Sequence, residues 1–375
     1  MSMYSAPEGG TLSQVLPSVA ASLGVGGFDD SLNLGRSTQT VVLLVDGLGM
    51  VPLRQALLVG VDAPALTQAL SQSSEIAAPF PSTTPTGLSS LGLGMSVGCH
   101  GMMGASFVLP ETERVLWPLS WRDDPLPLMV QPEPTVFERV AAAGVAVTSV
   151  SPRAFENSGL TRAALRGGDY LGADSFGERV GRTSRALRSS SRSLVYAYWG
   201  DLDKNGHVHG TNSPEWRAEL ELVDLLIRRL LDVMPAGAQL VVTADHGMLD
   251  TAAVDRIEID SYPELRESVL HLAGEPRMRH VYVRPGAGAD VASAWRERLG
   301  NNATVLTRDE AIEGGWFGEV DPALAERIGD VIAVATGTCV LASQSVDSRS
   351  SSLVGQHGAV TEAEMSIPLM TWHSD

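Results

Sequence analysis

Residues 41–50 read VVLLVDGLGM, and this stretch decides the fold. Val41–Val45 is an unbroken apolar run rich in valine, the composition of a strand buried on both faces. Asp46 closes the run, and Gly47 and Gly49 allow a sharp turn and close backbone approach. The same pattern recurs further along the chain. Leu194–Trp199 precedes GDLDKNGHVHG, with Asp203 and His207, and Leu240–Thr243 precedes ADHG, with Asp245 and His246. A last cluster, QHG with His357, follows the stretch SQSVDSRSSSLVG, which reads as a mobile loop.

Helical patterns lie between these strands. The clearest is the stripe Trp216, Leu220, Val223, Ile227, Leu230 and Met234, preceded by Ser213 as cap and Pro214 at the first turn. Strands alternating with helices imply an α/β fold with a doubly wound, mostly parallel central sheet and helices on both faces. From 253 to 327 the rhythm changes, and the pattern predicts a small inserted α+β subdomain or lid. The core then comprises 1–252 and 328–375, with a core strand resuming at Asp330–Ala335. Ligands of such sheets bind beyond the carboxyl ends of the strands, where Asp46, Asp203 and Asp245 all fall.

Asp46, Asp203, Asp245, His207, His246 and His357 together supply three carboxylates and three imidazoles, a donor set that suits two divalent metal ions. Asp46 alone reads equally well as a helix N-cap. Gly206 suggests a loop or distorted turn for Asp203–His207, and Asp201 and His209 compete with them on spacing. His100, His271, His280 and His373 read as structural or exposed. The turn PFPSTTPTG offers Ser82, Thr83, Thr84 and Thr86. A hydroxyl at a helix N-terminus meets free N–H groups that favour an anion, and a metal can lower its pKa. Metals with an activated hydroxyl point to hydrolysis of a phosphate ester.

Composition narrows the partners. The chain has 375 residues, 44% hydrophobic and 19% charged, with a net charge of −17. An acidic surface with Lys204 as the only lysine does not suit a broad nucleic-acid interface. No apolar run reaches transmembrane length, and the N-terminus lacks the basic and apolar regions of a signal peptide. Cys99 and Cys339 sit in no CxxC pattern and read as free thiols of a reducing compartment. The expectation is a cytoplasmic protein acting on a small phosphorylated substrate, with no nucleic-acid or membrane partner. Oligomeric state is not readable.

As an ordered set, these motifs resemble the alkaline phosphatase superfamily, and within it the type I phosphodiesterase/nucleotide pyrophosphatase family. The matching pieces are Asp46-Gly47, FPSTTPTG, D-x-x-G-H at Asp203–His207, Asp245-His246-Gly247, and His357-Gly358 before EMSIPL. The resemblance implies an alkaline phosphatase-like fold and two metal ions, roughly 3.5–4 Å apart in two-metal hydrolases. It assigns Asp203, His207 and His357 to one ion, and Asp46, Asp245, His246 and the nucleophile to the other. Aligning the turn with Gly94 selects Thr84 as nucleophile, with Thr83 as fallback. Mixed His/Asp ligation suits zinc and admits manganese or iron. The implied activity is cleavage of phosphodiester or pyrophosphate bonds through a phosphoryl-threonine. Alternatives are a phosphomonoesterase or a non-catalytic metal-binding pseudoenzyme. In one place the chain departs from the family. An Asn that holds a phosphoryl oxygen is missing, and at Gly104-Ala105 backbone N–H groups would have to substitute.

Overall fold

In the computed structural model, which describes residues 9–374, the run that opens the sequence reading lies at the middle of the central sheet. Its strands are β1 (Gln39–Val45), β2 (Ser74–Ala77), β3 (Ala146–Ser151), β4 (Asp169–Gly172), β5 (Ser193–Trp199) and β6 (Gln239–Thr243), completed by a late strand, Ser366–His373. The order is β2, Ser366–His373, β6, β1, β5, β3, β4. β1 pairs in parallel with β5 and β6, and β3 with β4 and β5. The late strand runs antiparallel between β2 and β6. Every residue of β1, β5 and β6 is buried, as expected of strands covered on both faces.

Three helices matter for the site: α1 (Thr84–Leu93), α2 (Asp201–His209) and α3 (Pro214–Val233). α3 follows its sequence pattern closely. Ser213 Oγ accepts from the Trp216 N–H at 3.1 Å, and Trp216, Leu220, Val223, Ile227, Leu230 and Met234 are all buried. The stripe seats the helix on the sheet, because one apolar face is all a surface helix has to bury.

A second, antiparallel sheet of four strands comprises β7 (Val269–Glu275), β8 (Met278–Val283), β9 (Ala303–Thr307) and β10 (Val331–Ala335). Its order is β7-β8-β10-β9. β10 corrects the sequence reading. It was expected to resume the central sheet but pairs with β8 and β9 instead. An apolar run encodes burial on both faces, not which sheet supplies its neighbours. The chain re-enters the central sheet only with Ser366–His373, hereafter β11. Phe317 is buried and meets Phe80 at a ring distance of 5.3 Å, so the aromatics of this region tie it to the core.

The stretch read as a mobile loop is folded into helical turns at Gln344–Asp347 and Ser350–Ser352. The buried Arg279 guanidinium pairs with Asp347 at 2.6 Å, and Ser351 Oγ donates to the same carboxylate. Serine-rich composition hid this order, because the anchoring Arg279 lies far away in the chain. Cys99 and Cys339 are both free. Among the described residues, no helix is long and apolar enough to cross a membrane.

Candidate metal and phosphoryl site

The three neighbouring strands β6, β1 and β5 deliver the donors. Asp46 directly follows β1, and Asp245 and His246 lie just past β6. Asp203 and His207 come after β5, but on helix α2 rather than in a loop. Gly206 explains the difference. A Cβ there would lie 2.4 Å from the Met248 sulfur, so glycine is needed for packing while the helix continues through it. Spacing of four then puts Asp203 and His207 on one face. Asp201 and His209, the competitors by spacing, are exposed. His357 arrives from the loop that leads towards β11.

All seven residues converge. His207 Nε2 lies 3.4 Å from Asp203 Oδ2 and 3.2 Å from His357 Nε2. His246 Nε2 lies 3.4 Å from Asp46 Oδ1, 3.5 Å from Asp245 Oδ2 and 3.2 Å from Thr84 Oγ1. Ligand atoms of Asp203, His207 and His357 all lie within 4.8 Å of one another, as do those of Asp46, Asp203 and His246. Asp203 therefore touches both groups.

The donor chemistry fits divalent cations. Each imidazole has Nδ1 beside a backbone carbonyl: His207 at Gly355 (2.8 Å), His246 at Gly247 (3.0 Å) and His357 at Ser82 (2.8 Å). Donation there leaves each Nε2 lone pair facing the cluster, the arrangement of metal-ligating histidines. Among the described residues, Asp46 Oδ1, Asp203 Oδ1 and Asp245 Oδ2 are buried without any hydrogen-bond partner. Buried orphan oxygens are costly, and a bound cation satisfies them.

Electrostatics agree. Burial, then the charges of Asp245 and Asp203, push the Asp46 carboxyl well above the usual carboxylate range. Burial also raises Asp245, and burial with neighbouring His246 and His207 holds His357 far below the usual imidazole range. Neutral imidazoles can ligate. A cation among the carboxylates would reverse the sign of their perturbation.

The hydroxyl turn divides its roles. Ser82 is structural: its Oγ donates to Ala359 O at 2.7 Å and accepts from the Gly358 N–H at 3.1 Å. Thr83 is the extended residue before α1 and makes no side-chain cap bond. Thr84 opens the helix, with Pro85 next, and its hydroxyl faces His246. Of the two expected candidates, Thr84 is the one with a hydroxyl contact to the cluster among the described residues. His100 is satisfied structurally by Ser90 Oγ at 2.9 Å and the Met102 N–H at 3.1 Å, and burial drops its pKa to about 3.

Two residues escaped the sequence reading. Tyr198, inside β5, donates its hydroxyl to Asp46 Oδ2 and lines an uncharged slot with Thr84, Leu119, Phe155, Ser158 and Leu160. Glu275, at the end of β7, is buried against Gly358 and accepts the Ala105 N–H at 2.8 Å. That backbone donor, expected to stand in for the family Asn, is already committed. Burial raises Glu275 to about 8. No local pattern marks either residue, because both act across long sequence separations.

Residues 40–359 match the family described as type I phosphodiesterase/nucleotide pyrophosphatase. A phosphopentomutase from Anaeromyxobacter dehalogenans is 32% identical over 121 residues, which are 32% of this chain and 29% of that protein. Human ectonucleotide pyrophosphatase/phosphodiesterase family member 7 is 34% identical over 77 residues, 19% of this chain and 17% of that one. The chain thus spans well under half the length of the curated relatives it matches. Among solved structures, murine ectonucleotide pyrophosphatase/phosphodiesterase 5 in complex with AMP superposes with a TM-score of 0.71 at 19% identity, covering 88% of this chain and 87% of that one. Phosphonoacetate hydrolase from Sinorhizobium meliloti 1021, in complex with phosphonoformate, gives 0.68 at 19% identity, covering 89% and 90%. These likenesses are of fold.

Proposed function

The chain belongs to the type I phosphodiesterase/nucleotide pyrophosphatase family, and on that premise we propose that it is a metal-dependent phosphoric ester hydrolase. It cleaves phosphodiester or pyrophosphate bonds of a small substrate through a phosphoryl-threonine on Thr84. The observation that carries this reading is Thr84 Oγ1, at the first position of α1 and 3.2 Å from an imidazole of the Asp/His cluster.

Asp203, His207 and His357 would hold one divalent ion, and Asp46, Asp245, His246 and Thr84 a second, with zinc preferred and manganese or iron as alternatives. Such ions supply Lewis-acid charge and lower the pKa of a nearby hydroxyl. Thr84 Oγ1 attacks phosphorus, forming the Oγ1–P bond as the P–O bond to the leaving group breaks; the hydroxyl proton is lost from Oγ1 and the departing oxygen takes one up. The free N–H groups of the first turn of α1 favour the phosphoryl oxygens. Water then attacks the same phosphorus and frees the threonine. The slot beside Thr84 carries hydroxyls and apolar walls but no charged side chain, which suits an uncharged ester group and favours diesters over monoesters. The free cysteines are in keeping with a cytoplasmic location, which belongs to the same proposal.

The test is turnover of bis-p-nitrophenyl phosphate against p-nitrophenyl phosphate by one metal-analysed preparation. Two metal ions per chain, preference for the diester, and loss of turnover with retained metal in Thr84→Ala are expected. A folded Thr84→Ala with full activity would remove the nucleophile assignment.

A further inference from the structure

Tyr198 stands where the Asp/His cluster meets the slot beside Thr84. It is 8% exposed, and its hydroxyl donates to Asp46 Oδ2. The other carboxylate oxygen of Asp46, Oδ1, has no partner among the described residues and lies 3.4 Å from His246 Nε2. The hydroxyl thus occupies one oxygen and leaves the second facing the cluster. The ring is held on several sides. Phe155 meets it edge-on at 6.0 Å, and Arg179 donates to the Tyr198 carbonyl. Gly200 packs so close that a Cβ there would lie 2.9 Å from the ring. The same ring walls the slot beside Thr84.

We propose that Tyr198 is a positioning residue, whose hydroxyl orients the Asp46 carboxylate for metal binding. The inference rests on the two-metal reading above and goes beyond it by assigning a function to a side chain that holds no metal itself. A phenol is a hydrogen-bond donor at neutral pH, so the Asp46 contact needs no change of protonation. Tyr198→Phe removes the hydroxyl alone. Tyr196, in the same strand and also lining the slot, provides the control for metal binding, because its buried hydroxyl has no hydrogen-bond partner among the described residues.

The experiment is calorimetric titration of the metal-free wild type, Tyr198→Phe and Tyr196→Phe with zinc and, separately, manganese, alongside thermal melts of the metal-free proteins. The wild type should take up two equivalents. Tyr198→Phe should keep one and bind the other about 10- to 100-fold more weakly, the usual effect of losing an outer hydrogen bond to a ligand. Tyr196→Phe should titrate like the wild type. With bis-p-nitrophenyl phosphate, Tyr198→Phe should lose kcat at low metal, recover it at high metal, and keep its KM. Wild-type-like titration of Tyr198→Phe would overturn the proposal. So would equal weakening of both equivalents with a lowered melting temperature, which marks a merely structural role. A wild type that binds fewer than two equivalents would overturn the two-metal reading itself, and this inference with it.

Discussion

Replacing Gly87 by alanine tests whether α1 is held at a fixed distance from the Asp/His cluster. Gly87 lies one turn after Thr84 and faces the carboxyl end of β6. A Cβ there would lie 2.5 Å from Asp245 Cβ, 2.9 Å from Asp245 O and 3.1 Å from Asp245 Cα. An ordinary carbon–carbon contact is roughly 3.5–4.0 Å, so the helix must retreat by about 1 Å, since β6 is fixed within the sheet. Two energies oppose each other. Alanine gains about 1 kcal/mol over glycine in a helix interior. Overpacking a tight contact costs about 1–3 kcal/mol. The net effect on stability is therefore small, a loss of about 0–2 kcal/mol. Activity should suffer far more, because a displacement of about 1 Å can cost on the order of 100-fold in rate. The assay pairs urea denaturation with kcat on bis-p-nitrophenyl phosphate at saturating metal. Gly181→Ala is the comparison: it lies exposed in the helix Phe176–Arg188 with nothing within 4 Å of its Cβ, so it should gain stability and keep full activity. A Gly87→Ala protein as active as the wild type would show that Asp245 does not set the position of Thr84.

Glu275→Gln should change the pH dependence of stability in the metal-free protein. Folding raises this carboxyl from 4.5 to about 8. Between those values the folded state holds the proton that the unfolded chain has lost, so stability falls as pH rises, by up to about 1.4 kcal/mol per pH unit. Denaturation at pH 5 to 8 should show a flatter profile in the variant, and an unchanged slope would refute the shift. Ser213→Ala removes the cap of α3 and should cost about 1 kcal/mol in urea denaturation; no loss would mean that the Trp216 N–H finds another acceptor. Chelation should lower the melting temperature, since one site saturated at about 1,000 times its Kd contributes about 4 kcal/mol. A melting temperature indifferent to chelator would count against any bound metal.

The legible parts of the sequence were those written locally. A run such as VVLLV closed by Asp46, or LVVT followed shortly by Asp245-His246, states burial and strand end in adjacent letters, and the α3 stripe states its own buried face. What could not be read depends on distant partners. β10 has the apolar run of a core strand, yet its neighbours β8 and β9 decide its sheet. Gly206 looks like a loop breaker until Met248 is seen against it. The serines before His357 look solvated until Arg279 and Asp347 meet beneath them. Tyr198 is one more aromatic in a buried strand until its hydroxyl is found on Asp46.

The late strand β11 occupies an inner place in the sheet, between β2 and β6, and Ser82 fastens the His357 turn that precedes it. Synthesis runs from the N-terminus, so β1, β5 and β6 emerge long before either feature exists. Until then β6 carries a bare edge, the kind of edge that recruits strands from other chains. The Asp/His cluster also stays one imidazole short until His357, which precedes β11, has been made.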